Sequence, residues 1–368
     1  MRHTVTIQPQ WTIRDPAGAT MVPRLVELLV QVHEHGSLSA ACQQGGSSYR
    51  HAWGLLRQGE ALFGAPLLNM TRGKGSSLTA LGEKLVWADR RIAARLGPML
   101  DSLASELEVE IDKVLSSAPT VLRIQASHGF AVQTLHDHLA KAQVAVDLKY
   151  VGSEAALAAL SAGECDLAGF AVPIGAYEQP VIDHLRGWLD AKEQVLIALA
   201  TRRQGLMLAP GNPKRIYGVA DLARPGVRFI NRQPGAGTRL LLDLLLDAEG
   251  IDRARITGYG QSEFTHAAVA AFVASGMADA GLGVETPARR FKLEFLPLLS
   301  ENYFLLARRS ALDSPLLQRM LAVLAEPALQ QALNDLQGYD AARCGTVLEL
   351  DVALPLAKAA SRRRSASQ

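Results

Sequence analysis

The chain has 368 residues, 48% of them hydrophobic and 20% charged, proportions of an ordinary folded protein long enough for two or more domains. Its formal net charge of +2 excludes a uniformly basic nucleic-acid binder, so any such surface has to be local. No apolar run approaches the ~18 residues of a membrane span, residues 1–16 lack the apolar core of a secretory signal, and three scattered cysteines (Cys42, Cys165, Cys344) fit reduced thiols in a cytoplasmic protein.

Residues 4–13 alternate loosely (Val5, Ile7, Trp11, Ile13) and predict a short strand or hairpin. Leu25, Val26, Leu28, Leu29 and Val32 then mark a helix over 22–33 that stops at Gly36, and Ser37 caps a short helix over 38–43. Gly45–Gly46 make a turn, and Ser47 or Ser48 caps a third helix running to Phe63, with Ala52, Trp53, Leu56 and Leu55 on its buried side. Helix, short helix, glycine turn and helix is the order of a helix-turn-helix. Two short apolar pieces, "LLNM" and "SSL", flank the tip "TRGKG" and read as a β-hairpin wing. Residues 45–80 hold four Lys or Arg against one acid, a positive patch suited to phosphate. The third helix opens with Ser47, Ser48, Tyr49, Arg50 and His51, hydroxyls and cations where acids would complement the helix dipole, so this turn faces an anionic partner.

The run "GSLSAACQQGGSSYRHAWGLLRQGEALFGAPLLNMTRGKGSSLTALGEKL" (36–85) resembles the winged helix-turn-helix of ModE-type molybdate-responsive regulators, cousins of the LysR-type regulators. The resemblance implies that Ser47, Ser48, Tyr49, Arg50 and His51 meet the major groove of double-stranded DNA, and that Arg72 and Lys74 on the wing touch phosphate or the minor groove.

From Thr79 to Leu115 apolar residues recur every three or four positions: Leu81, Leu85, Ala88, Ile92, Leu96, Leu100, Leu103, Leu107, Ile111 and Val114. Such a stripe predicts a linker helix that pairs with its twin in a dimer or tetramer, or alternatively packs within the chain. Gly97–Pro98 is expected to kink or interrupt it. "SSAP" (116–119) reads as a hinge. Strand and helix signals then alternate: strands at 121–126, 144–150, 166–172, 193–200, 205–209, 227–231, 278–284 and 303–309, with helices to Lys141, over 154–162 and over 238–250. This predicts a mostly parallel α/β sheet in two halves, 120–195 with a return after 285, and 200–284, with ligands at strand C-termini.

"RQGLMLAPGNP", "FINRQPGAGTRLLLD", "EFTHAAVAAFVASGMADAGLG" and "ENYFLL" resemble the type II periplasmic-binding-protein fold, and specifically the molybdate-binding-protein-like domains fused to ModE-type regions. The domains expected are thus a winged helix-turn-helix over 1–78, a linker helix and hinge over 79–118, an α/β two-lobed effector domain over 119–355 and a basic tail over 356–368.

"PGAGTR" matches neither a phosphate-binding P-loop nor a dinucleotide fingerprint, which leaves a glycine-rich loop opening a helix. Gly235, Ala236, Gly237, Thr238 and Arg239, with Ser127, His128 and Gly129 after the first strand, Ser153 after the second, and Tyr303, are the candidate effector-binding residues. Hydroxyls and free N–H groups at three helix starts can surround a small anion. The resemblance implies molybdate or tungstate; Ala236 stands where a serine would add a donor, so formate or another short carboxylate is the alternative. No catalytic signature and no metal-ligand spacing is present, so no enzyme, metal or cofactor is expected. The sequence therefore points to a one-component transcriptional regulator, with anion storage as the reading from another class.

Overall fold

A computed structural model describes residues 4–71, 75–115 and 121–356. Helices α1 (Pro23–His35), α2 (Leu38–Gln44) and α3 (Tyr49–Phe63) precede a hairpin of β1 (Leu68–Thr71) and β2 (Gly75–Leu78). Their core gathers Leu25, Leu29, Val32, Leu38, Ala52, Leu56, Leu67 and Leu85. Ser37 and Ser48 cap α2 and α3, each accepting from an N–H three residues on, so of the two serines before α3 the second takes the role. Buried Ser76 on the hairpin accepts the Leu38 N–H and ties the wing to α2. Residues 4–13 form no strand, though exposure alternates along them; only at their end does the chain fold back, with Met21 N–H donating to Ile13 O and an isolated antiparallel bridge between Arg14 and Thr20. Instead they run along the next helix, where Val5 N–H donates to Glu108 and Trp11 Nε1 to Asp89. Arg72 and Lys74, the expected hinge at 116–119 and the tail from residue 357 lie outside the described residues.

Helix α4 (Ala80–Leu115) runs unbroken through Pro98, against the expected interruption. A proline has no N–H for the carbonyl four residues back. Here that carbonyl is Ala94 O, and the Thr265 hydroxyl donates to it at 3.1 Å. Tertiary structure thus satisfies the group the proline orphans.

The second domain comprises β3 (Leu122–Ala126), α5 (Phe130–Lys141), β4 (Val146–Tyr150), α6 (Ser153–Ala162), β5 (Leu167–Pro173), α7 (Glu178–Leu185), β6 (Gln194–Leu208), β7 (Phe229–Arg232), α8 (Gly237–Ala248), β8 (Ser262–Glu263), α9 (His266–Ala274), β9 (Ala280–Val284), α10 (Glu285–Arg290), β10 (Glu294–Arg308), α11 (Pro315–Leu324), α12 (Pro327–Asn334), β11 (Tyr339–Asp340) and β12 (Val347–Glu349). The strand order is β4-β3-β5-β10-β6-β9-β7-β8, with β11 and β12 on β6. The sheet is mixed rather than mostly parallel. The βα units pair in parallel, while β10 runs antiparallel to both β5 and β6, and β6 to β9. The expected strands at 193–200 and 205–209 are one strand, and the one expected at 303–309 begins nine residues earlier, at Glu294.

These two long strands make the domain two-lobed. Lobe 1 gathers β3, β4, β5 and one end of the β6–β10 pair; lobe 2 gathers β7, β8, β9 and the other end. Each lobe has apolar residues on both sheet faces, as strands covered on two sides require. In lobe 1, Ile124, Leu135, Leu148 and Leu305 pack on one face and Leu157, Phe170, Ile182 and Phe304 on the other. In lobe 2 the neighbours Leu206 and Met207 point into different cores.

Helix α4 straddles both lobes. Its later turns cover the open edge of β4: Ser105 Oγ donates to Val146 O and accepts from Leu148 N–H, and Ser102 Oγ accepts from Tyr150 N–H. Its earlier turns dock on lobe 2, where Arg95 pairs with buried Glu263 at 2.8 Å and Trp87 stacks on Phe291. The chain itself therefore buries one side of α4, through Ala104, Ser105, Glu108 and Val109. The expected partner-facing stripe divides: Leu81 and Leu85 pack into the winged-domain core, whereas Leu96, Leu103 and Leu107, with Met99 beside them, stay 36–56% exposed.

Candidate functional site

Two surfaces meet the expectations for anions. The first is the front of α3, where Ser47, Ser48, Tyr49, Arg50 and His51 are all exposed. Tyr49 lies edge-on to Trp53, and Trp53 itself packs against the domain core. Arg50 and His51 join Arg24 of α1, Ser48 and Gln58 around a surface concavity of about 560 Å³. Arg24 was not singled out from the sequence, because it precedes the glycine turn; folding sets the start of α1 beside the start of α3.

The second surface is the cleft between the lobes. Lobe 1 supplies Ser127, His128 and Gly129 after β3, and Ser153 at the start of α6. Lobe 2 supplies Gly235–Arg239 after β7. Ser153 is buried, as are Ala236 and Thr238. The lobes touch at this point: a Cβ on Gly152 would stand 2.8 Å from Gly235 O, and one on Gly237 would stand 3.7 Å from Ser153 Oγ. Gly235 has φ +78°, a left-handed backbone that glycine adopts without strain. Tyr303, on β10, is buried and its hydroxyl lies 3.2 Å from Ser127 Oγ.

The floor of the cleft holds residues that the sequence reading missed. Arg202 and Gln204 lie two apart on β6, so they share a face; opposite them on β10 stands Glu301. Arg202 Nε donates to Glu301 Oε1 at 2.6 Å, and Gln204 Nε2 donates to the same oxygen and to Thr238 Oγ1. The Arg202 guanidinium also covers the Tyr303 ring at 4.8 Å, and a Cβ on Gly129 would come within 3.2 Å of it. At the end of β7 comes a second guanidinium, Arg232, only 2% exposed. It donates to two neutral acceptors, Gln233 Oε1 and Phe264 O, and among the described residues it has no carboxylate partner. Burial, then the charge of Arg202, pushes Arg232 down to about 9, with Glu301 opposing. It remains a cation at neutral pH.

Two histidines share this field. Burial and the Arg232 charge hold His128 down to about 4, and its ring packs edge-on against Tyr150 at 4.8 Å. Buried His266, first residue of α9, is held well below the ordinary value by burial, Arg232 and Arg202, and its Nδ1 has no hydrogen-bond partner. Burial pushes the Tyr303 hydroxyl up to about 12. Both histidines and Tyr303 are thus neutral near pH 7. The cleft gathers two buried cations, one carboxylate and an array of neutral donors.

Arg239 corrects one expectation. Its guanidinium stacks on Tyr259 at 4.0 Å, pairs with Asp243 and bonds Arg232 O and Tyr259 O, so it is held on the α8 seam rather than presented to the cleft. Buried Glu285, at the start of α10, is paired with Arg203 and Arg289. Among the described residues no cluster of His, Cys, Asp and Glu could hold a metal ion, and no helix is long and apolar enough to cross a membrane.

Comparison with known proteins assigns the two halves. Residues 23–83 match the model of the bacterial regulatory helix-turn-helix protein, lysR family, and residues 136–325 match the PBP superfamily domain. YvgK of Bacillus subtilis (strain 168) is 34% identical over 203 residues, 54% of this chain and 64% of that protein. The molybdenum-pterin-binding protein MopB of Rhodobacter capsulatus is 32% identical over 123 residues, 32% of this chain and 45% of that protein. The chain therefore spans under two thirds of the length of either relative. Among solved structures, the regulatory domain of MetR, a LysR family regulator from N. meningitidis, superposes with TM-score 0.44 at 14% identity, covering 60% of this chain and 97% of that domain. The chain belongs to the PBP superfamily and carries in the same polypeptide a lysR-family helix-turn-helix, the domain pairing of a LysR-type transcriptional regulator.

Proposed function

We propose that this chain is a one-component DNA-binding transcriptional regulator of the cytoplasm whose two-lobed domain senses a small oxyanion, molybdate or tungstate, in control of molybdenum-linked metabolism. The observation that carries the sensing half is the buried charge imbalance: Arg202 and Arg232 face a single carboxylate, Glu301. An uncompensated buried cation is costly, and a bound anion removes that cost. The relative MopB, by its name a molybdenum-pterin-binding protein, supports the choice of metal oxyanion. Formate or another short carboxylate is the second reading, favoured by Ala236, whose buried methyl group stands where a hydroxyl would donate to a tetrahedral dianion.

The route to DNA follows from contacts around Arg232. It bonds Phe264 O, whose neighbours Glu263 and Thr265 hold Arg95 and Ala94 O of α4. An anion that draws Arg232 into the cleft pulls on this segment and on the helix carrying the winged domain. The exposed Leu96, Met99, Leu103 and Leu107 pair α4 with that of a second subunit, so a tilt of α4 respaces two recognition helices on a pair of half-sites. The anion shifts the equilibrium only by its difference in affinity for the two arrangements. The lysR-family match over 23–83 favours this reading over anion storage.

The test is fluorescence anisotropy of the full chain on its own upstream DNA, with molybdate, tungstate, formate or sulfate added. A shift in DNA affinity or footprint with the first two and none with sulfate is the expected result; formate alone acting selects the second reading. Specific DNA binding that no anion alters overturns the sensing half, and absence of DNA binding overturns the regulator.

A further inference from the structure

Charge in the cleft also limits which anions fit. We propose that the cleft balances one negative charge, so that a doubly charged oxyanion such as molybdate or tungstate enters only together with a proton. This rests on reading the cleft as an anion receptor.

In a site closed to water, buried charges have to balance. Arg202 and Arg232 are 4% and 2% exposed, and the charges that act on Arg232 are those of Arg202 and Glu301. Glu301 is committed to Arg202 and Gln204, so one cation is left over. Of the other titratable groups around the site, Arg290 lies over the Phe130 ring at 4.6 Å but is exposed, so water screens its charge; His128 from lobe 1, His266 from lobe 2, and Tyr150, Tyr303 and Tyr339, all raised by burial, are neutral near pH 7. Glu263 lies next to the site in sequence but its carboxylate is turned to Arg95 on α4. A monoanion therefore leaves the cleft neutral, and a dianion leaves it with one unpaired negative charge. Water cannot screen that charge between lobes that touch through Gly152 and Gly235.

The histidines are the groups that can answer a second negative charge. The charges of Arg232 and Arg202 disfavour protonation of His266, and that of Arg232 disfavours protonation of His128. A dianion reverses the sign of that field, and its second charge is balanced when one ring takes up a proton. His266 Nδ1, buried and without a partner, has a free position for it.

The test is titration calorimetry of the full chain at pH 7 with formate, acetate and nitrate, and with molybdate, tungstate and sulfate, each in two cationic buffers of different ionisation enthalpy. Monoanions should bind with equal heats in both buffers. Each dianion that binds should take up about one proton and lose about tenfold in affinity per pH unit above 7. Glu301→Gln, which removes the carboxylate paired with Arg202, should abolish the proton uptake by dianions. A dianion that binds the wild-type chain without proton uptake overturns the charge rule while leaving the anion receptor standing. Silence with all six anions overturns the receptor, and the rule with it.

Discussion

Arg50 at the front of α3 and Arg232 at the end of β7 both offer a guanidinium to an anion, but Arg50 stands in water and Arg232 is 2% exposed. Around Arg50 the other contributors are near neighbours, Ser48 and His51, joined by Arg24. Around Arg232 they come from β3, α6, β6, α8, α9 and β10, spread over more than a hundred residues of sequence. The exposed site costs nothing to keep charged when empty, and salt screens each contact it makes, so affinity comes from many such contacts. The buried site is costly when empty and unscreened when filled, so a few groups suffice and their count decides what binds.

Four changes bear on this contrast. The largest effect is expected from Arg202→Ala, which strands the Glu301 carboxylate in the interior; breaking a buried pair costs about 3–5 kcal/mol, read as a lowered thermal midpoint of the anion-free protein. Arg232→Ala should separate stability from binding. It removes the unpaired cation, so the anion-free protein should keep or raise its midpoint, while anion affinity falls by about 2–5 kcal/mol, measured by calorimetry. A midpoint that drops as far as in Arg202→Ala would show that Arg232 has an anionic partner within the chain and end the contrast.

Acid comes next. His128 is held at about 4 in the folded chain against 6.5 when unfolded, so the unfolded state binds the extra proton and stability falls as pH drops below 6.5, levelling off below about 4. At ~1.36 kcal/mol per unit this reaches at most about 3 kcal/mol. His266, also lowered, adds in the same direction. Saturating anion should blunt the loss, since it stabilises the protonated rings; denaturant melts between pH 4 and 7.5, with and without ligand, check both. The smallest effect should be Arg50→Ala: about 1–3 kcal/mol of DNA affinity if it reads a base, or a uniform loss with the salt slope reduced by about 1 if it holds a phosphate. Anion affinity should not change in either case.

Much of the exposed site was legible because its parts are local. Apolar spacing, Gly36 and Gly45–Gly46 as stops, and serine caps predict α1–α3 to within two residues at each end. "PGAGTR" was likewise legible as a loop opening α8, since its glycines and the apolar helix behind it are contiguous. The cleft floor was not. Thr201, Arg202, Arg203 and Gln204 interrupt an apolar run and read as a break between two strands, whereas they continue β6. The available signal was the spacing itself: Arg202 and Gln204 sit two apart, flanked by strand on both sides. Glu301 opens the motif "ENYFLL", but nothing local marks its pairing with Arg202, about a hundred positions away.

Local sequence determined the helix-turn-helix, the wing, the βα alternation and the glycine loop, because those depend on caps, turns and periodicity within a few residues. Tertiary structure decided the rest. Thr265 supplies the hydrogen bond that lets α4 run through Pro98. The β4 edge and lobe 2 bury one side of α4 and leave Leu96, Met99, Leu103 and Leu107 to face outward. The pairing of β6 with β10 brings Arg202 to Glu301, and the lobes close around them and Arg232. A buried charge is defined by what surrounds it in space, and only the folded chain assembles those surroundings.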